Sequence, residues 1–277
     1  MQGLNVGKEQ LERIKQAAID GTTMKDLSIE LGLTTDCLAI HAKRLGITLQ
    51  RARKPLTENV NHHFFDEWSP KMAYVLGYIC ADGNIQHKKQ GGKLISFGVG
   101  AKDKDYLQQV ADLMSLKLPL RDYTNKERGI TTCHVCASSP ILYDRLVALG
   151  IHERKSLTLA WLPNIPESLV SHFVRGSFDG DGYIVVQIRK DRKGAKRLRV
   201  RIVGTEPFLS GIKQAYNPDA GSLYPHKPTP GHFVLDYCGN KTALAFAAWM
   251  YDQSTPQTRL DRKYQVYQDF LNTRNVL

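Results

Sequence analysis

The chain has 277 residues, of which 42% are hydrophobic and 23% charged, so it is long enough for two or more domains with their own cores. Its formal net charge of +11 and isoelectric point near 9.4 favour an anionic partner, and nucleic acid is the commonest one. No apolar run reaches membrane-spanning length and the N-terminus lacks a signal-peptide core. We therefore expect a cytoplasmic, non-secreted protein without a membrane partner.

The first 55 residues predict an all-α helix-turn-helix domain with a basic linker. Residues 24–45 have the helix-turn-helix pattern, with Leu27 and Leu31 as core positions and Gly32 at the turn. The second helix of this pair would offer Thr35, Asp36, Ala39, His41 and Lys43 to DNA. The linker carries Arg51 and Arg53, whose charges can follow phosphates. The alternative is a three-helix module that binds protein or nothing.

Two similar apolar segments, residues 72–83 and 171–182, predict a pair of packed helices. Each segment has small residues four positions apart, Gly77 with Ala81 and Gly176 with Gly180. This spacing places the small residues on one helix face, where a second helix can approach closely.

Both segments end in Asp-Gly, which predicts that Asp82 and Asp181 lie in the last turns of the two helices. A carboxylate is poorly placed there, because the C-terminus of a helix already carries partial negative charge. Side-by-side packing of the helices would bring the two carboxylates together and add like-charge repulsion. A divalent cation held by both carboxylates would explain the arrangement.

The same order of elements is predicted twice, once in residues 66–160 and again in residues 161–277. Each copy is predicted as helix-strand-strand-helix-strand-strand-helix, and the second copy starts with a helix at about 166–178. A repeat of this length implies two similar halves related by a pseudo-twofold axis, with the two motif helices at the seam. The predicted fold class is α+β.

The five cysteines do not form a predicted disulfide framework. Cys133 and Cys136 have the spacing of half a zinc site, but no second Cys/His pair follows at a suitable distance. Their run alternates as a strand does, which would put the two sulfurs on opposite faces. We expect no zinc site here.

A basic hairpin at residues 187–201 is the strongest candidate for contact with DNA. Strand alternation would place five side chains on one face: Gln187, Arg189, Arg197, Arg199 and Arg201. A two-stranded ribbon fits the major groove, where arginine and glutamine contact base edges. The shorter ribbon of the first repeat offers His87, Lys89 and Lys93. The alternative is a solvated outer strand, for which charge is ordinary.

The two motifs, residues 75–83 (VLGYICADG) and 174–182 (VRGSFDGDG), resemble the nine-residue motif of the LAGLIDADG homing endonucleases. The resemblance covers about residues 66–277 and implies two fused repeats that form a DNA-binding saddle. It assigns Asp82 and Asp181 as metal ligands and catalytic residues, with Mg²⁺ as the cofactor and Mn²⁺ as a substitute. Family enzymes also keep a lysine after the last helix of each repeat, which here implies Lys155 and Lys263 as further catalytic residues that orient or polarise the attacking water and hold the scissile phosphate.

The resemblance implies a monomeric endonuclease that makes metal-dependent double-strand breaks in a long DNA target. Two alternatives stay open: a DNA-binding transcriptional regulator that does not cleave, and an RNA maturase that acts on its own intron. In the second motif Asp179 is expected to bond to nearby backbone, and the first motif has Cys80 at that place.

Overall fold

The computed structural model describes residues 6–50, 58–88, 91–189 and 194–275. The chain divides into two compact units, Met1–Leu56 and Thr57–Leu277, and each has its own hydrophobic core. Within the described ranges, no helix is both long enough and apolar enough to cross a bilayer.

The N-terminal unit contains α1 (Lys8–Asp20), α2 (Met24–Leu31) and α3 (Thr35–Leu45). The hydroxyls of Thr23 and Thr34 accept backbone N–H bonds in the first turns of α2 and α3, as N-caps do. Gly32 ends α2 with a φ of 63°, a conformation that glycine adopts without steric cost. Leu27 and Leu38 are fully buried between the helices.

The outer face of α3 differs from the predicted one at a single position. Of the residues expected to face DNA, four are exposed: Thr35, Asp36, Ala39 and Lys43. His41, which we expected to face DNA, is only 6% exposed. It follows Leu38 by three positions and Cys37 by four, so the helical period places all three on the inner face.

The second unit contains the predicted repeat. The first copy runs through α4 (Pro70–Asp82), β1 (Gly83–His87), β2 (Lys93–Gly100), α5 (Lys104–Leu113), β3 (Arg121–Asn125), β4 (Ile130–Ser138) and α6 (Pro140–Ala148). The second runs through α7 (Val170–Asp181), β5 (Gly182–Arg189), β6 (Ala195–Gly204), α8 (Glu206–Tyr216), β7 (Ser222–Pro225), β8 (Phe233–Cys238) and α9 (Thr242–Tyr251), and α10 (Asp261–Asn275) follows. The strand orders, β1-β2-β4-β3 and β5-β6-β8-β7, are the same and every pairing is antiparallel. The predicted α+β class is confirmed.

The second motif helix begins later than predicted. The sequence placed its start near Pro166, but α7 begins at Val170 after a 3₁₀ turn at Glu167–Leu169. Pro166 has an extended ψ of 134°, so it lies before the helical turns and not in the first of them. The helix also extends to Asp181, beyond the predicted end at Phe178.

Helices α4 and α7 pack so closely that side chains are excluded at their crossing. A Cβ atom on Gly77 would lie 1.9 Å from the carbonyl oxygen of Phe173, and one on Gly176 would lie 1.9 Å from that of Tyr74. The Ser177 hydroxyl donates to the Gly77 carbonyl oxygen across the seam, at 3.0 Å. The predicted close approach of the two motif helices is thus present, and glycine permits it.

We expect Gly176→Ala to lower the free energy of unfolding by about 3 kcal/mol or more, because the added methyl group would overlap a backbone carbonyl that cannot rotate away. Gly100→Ala is a suitable control, since its Cβ would meet nothing within 4 Å and its φ is −61°. Urea unfolding of both variants measures the difference. Equal stability of the two variants would contradict the close packing of α4 against α7.

A buried arginine joins α7 to the C-terminal part of the unit. Arg175 is fully buried, and its guanidinium donates to the carbonyl oxygens of Thr258 (2.7 Å) and Met250 (2.6 Å). A third nitrogen, Nη2, lies 2.7 Å from Nδ1 of His172. Because arginine can only donate, this contact requires His172 Nδ1 to be unprotonated.

His172 should therefore make folding sensitive to acid. Burial, and then the charge of Arg175, lower the pKa of His172 from 6.5 to about 4. The unfolded chain takes up the proton first as pH falls, so this stabilisation is complete above pH 6.5 and is lost between 6.5 and about 4. Between pH 7.5 and 4.5, we expect the free energy of unfolding to fall by about 2–3 kcal/mol more in the wild type than in His172→Asn. The amide oxygen of asparagine can accept the same bond from Arg175. Urea unfolding at both pH values tests this, and parallel losses would contradict it.

Candidate functional site

Each motif helix ends in an aspartate and passes directly into a strand. Gly83 and Gly182 begin β1 and β5 with φ values of −80° and −95°, so left-handed backbone is not what selects glycine here. A Cβ on Gly83 would lie 2.7 Å from Cα of Ile79, and one on Gly182 would lie 2.2 Å from the ring of Phe178. Lack of space therefore requires glycine after each aspartate.

The carboxylates of Asp82 and Asp181 lie near each other at the seam, as the sequence predicted. A Cβ on Gly180, the residue before Asp181, would lie 3.3 Å from Oδ2 of Asp82. The surrounding protein, and then the charge of Asp181, raise the pKa of Asp82 to about 6. Burial also raises the pKa of Asp181. Both side chains remain open to water, so solvent screens part of this effect.

The two predicted lysines are buried and bind backbone. Lys155 is 8% exposed and its ammonium donates to the carbonyl oxygen of Gly83 at 2.6 Å, with Ala81 at 3.4 Å. Lys263 is 5% exposed and donates to the carbonyl oxygens of Phe178, Asp179 and Gly182. Cations at the C-terminal ends of helices are favourable, because the last carbonyl groups have no partner within the helix.

Each carboxylate lines a separate cavity to which both repeats contribute. Asp181 lines one of about 250 Å³ together with Lys155 of the first repeat. Asp82 lines another of about 280 Å³ together with Arg262 of the second repeat. Arg262 forms an ion pair with Asp103, with Nε 2.9 Å from Oδ1, at the same cavity. The two cavities therefore carry different side chains despite the repeated fold.

Asp179 has a structural role, as expected. Its Oδ2 atom accepts bonds from the Tyr74 hydroxyl (2.7 Å) and the backbone N–H of Leu260 (2.8 Å). The carboxyl is 3% exposed, and burial raises its pKa to about 6. In the first repeat the buried thiol of Cys80 occupies the corresponding place, so this link to the C-terminal segment exists in one repeat only.

The donor atoms at the seam suit a hard divalent cation. Mg²⁺ is usually held by one or two carboxylates, with waters and phosphate oxygens completing its coordination. Asp82 and Asp181 supply two accessible carboxylates. Burial raises the pKa of both, the charge of Asp181 raises that of Asp82 further, and a bound cation would offset these effects. Within the described ranges, no group of three or more His, Cys, Asp or Glu side chains could hold a metal without outside ligands. The seam therefore supplies the one or two carboxylates that a hard divalent cation usually takes from protein.

The five candidate side chains of the second ribbon share one face of the sheet, because β5 pairs β6 with Gln187 opposite Arg197. The sequence did not reveal a balancing acid for them. Asp236 on β8 is 5% exposed and binds Arg199 through both carboxylate oxygens, while Nε of Arg201 lies 3.0 Å from Oδ2. Asp236 lies more than 30 residues beyond these arginines, so only strand pairing brings it to them.

The ribbon of the first repeat differs from the expectation. His87 pairs with Lys93 and shares the face of buried Ile85, on the side of the sheet that α6 covers. Lys93 forms an ion pair with Asp144 of α6 and its ammonium lies over the ring of Tyr143. The opposite face presents Asn84 and Gln86, which alternation counted from Ile85 would have identified. Lys89, Arg51 and Arg53 lie outside the described residues.

Cys133 is buried and Cys136 is exposed, on opposite faces of β4 as strand alternation predicted.

Part of the chain matches a known protein family. Residues 69–143 match the family model of the LAGLIDADG-like domain, which confirms the resemblance seen in the sequence over most of the first repeat. The uncharacterized protein MJ0398 of Methanocaldococcus jannaschii is 30% identical over 118 residues. That match covers 42% of this chain and 40% of the relative, so the chain spans less than half of that protein's length.

Two crystal structures have a similar fold. The I-LtrWI LAGLIDADG homing endonuclease bound to target DNA has a TM-score of 0.52 at 13% identity, covering 78% of this chain and 92% of its own. The LAGLIDADG meganuclease I-AabMI bound to uncleaved DNA has a TM-score of 0.50 at 14% identity, covering 76% of this chain and 91% of its own. At these identities the similarity establishes the fold.

Proposed function

We propose that this chain is a site-specific DNA endonuclease of homing type that makes double-strand breaks in a long target. The observation that carries the proposal is the pair of accessible carboxylates, Asp82 and Asp181, at the ends of two helices packed through glycine. Packing alone does not require acids there. The partial negative charge of each helix end disfavours a carboxylate, and so does the repulsion between the two carboxylates. The similar solved structures, both DNA-bound enzymes, support the same reading.

Asp82 and Asp181 would hold Mg²⁺, or Mn²⁺ in its place, between the protein and the DNA backbone. When bound, the metal stabilises negative charge on the phosphate and lowers the pKa of a bound water. The two carboxylates line separate cavities, so each would serve one DNA strand. One polypeptide carries both, which is why we propose that a monomer suffices.

Lys155 and Lys263 would act by holding the two helix ends in place. Their ammonium groups are already bound to backbone carbonyls next to the aspartates, so they fix the carboxylates and supply positive charge beside a phosphate. This is a positioning role, whereas the family resemblance suggested direct action on the attacking water.

DNA would be contacted on the open faces of the two sheets. In the second repeat, Arg197 and Gln187 are bonded to each other at 2.9 Å, and Asp236 fixes the forks of Arg199 and Arg201. Arg189 lies at the end of the same face. Arginine pairs well with guanine, and the amides of Asn84 and Gln86 in the first repeat pair with adenine.

The N-terminal unit would lengthen the stretch of DNA that the protein contacts. Lys43 is exposed on α3, and Arg51 and Arg53 follow in the linker. Contacts of this kind go mostly to phosphates, so they would add affinity that falls with salt and little sequence preference.

The proposal is tested with a target duplex selected from a randomised DNA pool by the full chain in buffer without metal. A supercoiled plasmid carrying this target should be linearised when Mg²⁺ or Mn²⁺ is added and should stay intact with EDTA. A plasmid lacking the target is the control. Tight, sequence-specific binding with no cleavage in either metal would reject the nuclease and favour the non-cleaving regulator.

A further inference from the structure

A short loop in the second repeat places His232 in the lining of the cavity that contains Asp181. The loop joins β7 to β8 and is closed by three backbone bonds: His226 N–H to His232 (2.8 Å), Thr229 N–H to His226 (3.1 Å) and His232 N–H to Thr229 (3.1 Å). Gly231 precedes the histidine with a φ of 85°, which glycine allows. His232 is therefore held by defined backbone geometry.

His232 lines the same cavity as Asp181 and Lys155, and the loop's Thr229 also lines it. A charge on the imidazole would lower the pKa of Asp181, which places the two groups within electrostatic range. Nδ1 of His232 is buried and has no hydrogen-bond partner among the described residues. Leaving a buried nitrogen unpaired costs about 1–3 kcal/mol. Nδ1 of His226 in the same loop is also unpaired among the described residues, but of the two histidines only His232 lines the cavity.

The cavity of Asp82 is built differently at the corresponding position. Cys133 of β4 pairs with Val99 of β2, just as Phe233 of β8 pairs with Gly204 of β6 in the second repeat. The residues that precede Cys133 and Phe233 therefore occupy corresponding positions, and they are Thr132 in the first repeat and His232 in the second. Thr132 is bonded to Nε2 of His134 at 2.8 Å, and both line the cavity of Asp82. The imidazole there already has a side-chain partner, whereas Nδ1 of His232 has none among the described residues.

We propose that His232 is a further catalytic residue for the strand cut at Asp181, where a ring nitrogen accepts a hydrogen bond from the attacking water. This inference rests on the proposed endonuclease function. In the step, the water oxygen forms a bond to phosphorus and one P–O ester bond breaks. The water's proton passes to solvent, the departing oxygen takes a proton from solvent, and the imidazole is unchanged. The ring fixes the direction of the water. At the cavity of Asp82 the imidazole that the structure describes, that of His134, is already bonded to Thr132.

The consequence is a strand-specific defect. In His232→Ala we expect cleavage of one strand to slow about 100-fold, since misdirection of a reacting group costs about that much, while the other strand is cut within about threefold of the wild-type rate. Supercoiled plasmid should then accumulate as nicked circles. His232→Gln, whose amide oxygen can accept the same bond, should recover at least tenfold of the lost rate. His226→Ala, in the same loop but outside the cavity lining, is the matched control and should linearise the plasmid normally.

The measurement is single-turnover cleavage in Mg²⁺ of the selected target duplex, labelled on either strand, using the full chain. Equal slowing of both strands, or no slowing of either, would overturn the role of His232 while leaving the nuclease intact. A wild type that binds the duplex but cuts neither strand would reject the nuclease and this inference together. Melting temperatures within about 2 °C of wild type exclude collapse of the loop as the cause of a rate change.

Discussion

Asparagine in place of Asp82 or Asp181, each tested alone, is expected to abolish double-strand cleavage. Specific DNA binding should stay within about tenfold of wild type, or about 1.4 kcal/mol. Asparagine keeps the shape of the side chain but loses the negative charge that holds Mg²⁺. Plasmid linearisation measures cleavage, and a gel shift in EDTA measures binding. Full linearisation by either variant would contradict the assignment of that carboxylate.

The same two variants should be at least as stable as the wild type. A carboxyl whose pKa is raised by folding favours the unfolded chain above its unfolded pKa, and for Asp82 this cost develops between pH 3.8 and about 6. Removing the charge at pH 7 therefore removes a destabilising interaction. After allowance for solvent screening we expect the free energy of unfolding to rise by on the order of 1 kcal/mol, which raises the melting temperature by about 2–4 °C. Asp219→Asn, at an exposed site, is the control.

Lys263→Met should cause the largest loss of stability among the single changes at the site. The methionine fills similar space but leaves the carbonyl oxygens of Phe178, Asp179 and Gly182 without their donor. Burial lowers the pKa of Lys263 to about 8, so the ammonium is still mostly charged at pH 7. We expect a loss of about 3 kcal/mol, because hydrogen bonds from a charged donor are strong and unpaired buried carbonyls are costly. This corresponds to about 6–12 °C.

Lys71→Met provides the matched control, since this lysine is exposed in the first turn of the other motif helix. Its melting temperature should stay within about 2 °C of wild type. If Lys263→Met were equally stable but inactive, the lysine would act on the reaction directly, and the positioning role would be wrong. Loss of stability together with loss of cleavage is the result that the backbone contacts lead us to expect.

Each of the two cavities is lined by side chains from both repeats, so the repeats depend on each other. Lys155 of the first repeat shares a cavity with Asp181 of the second, and Arg262 of the second shares one with Asp82 of the first. One continuous hydrophobic core runs through both repeats. Separate expression of one repeat would therefore remove side chains from both sites as well as half of the core.

Local patterns in the sequence determined the elements of this protein and the seam between its repeats. Ser69 and Pro70 begin α4, the Asp-Gly pairs end both motif helices, and glycines four positions from a small residue mark the helix crossing. Such signals are local because caps, turns and helical periodicity depend on neighbours within a few residues. They were sufficient to predict two carboxylates meeting at one place.

Tertiary structure decided which charges are free and which are occupied. Asp236 neutralises two arginines across a strand pairing, α6 covers the face that carries Lys93, and both site lysines bind backbone at helix ends. His232 and Asp181 line one cavity although they lie 51 residues apart, and His232 directly precedes the strand β8 that pairs with β6. These partners lie tens of residues apart in the chain. Composition and alternation reveal that a side chain is charged and which face it occupies, but only the folded chain determines what lies opposite it.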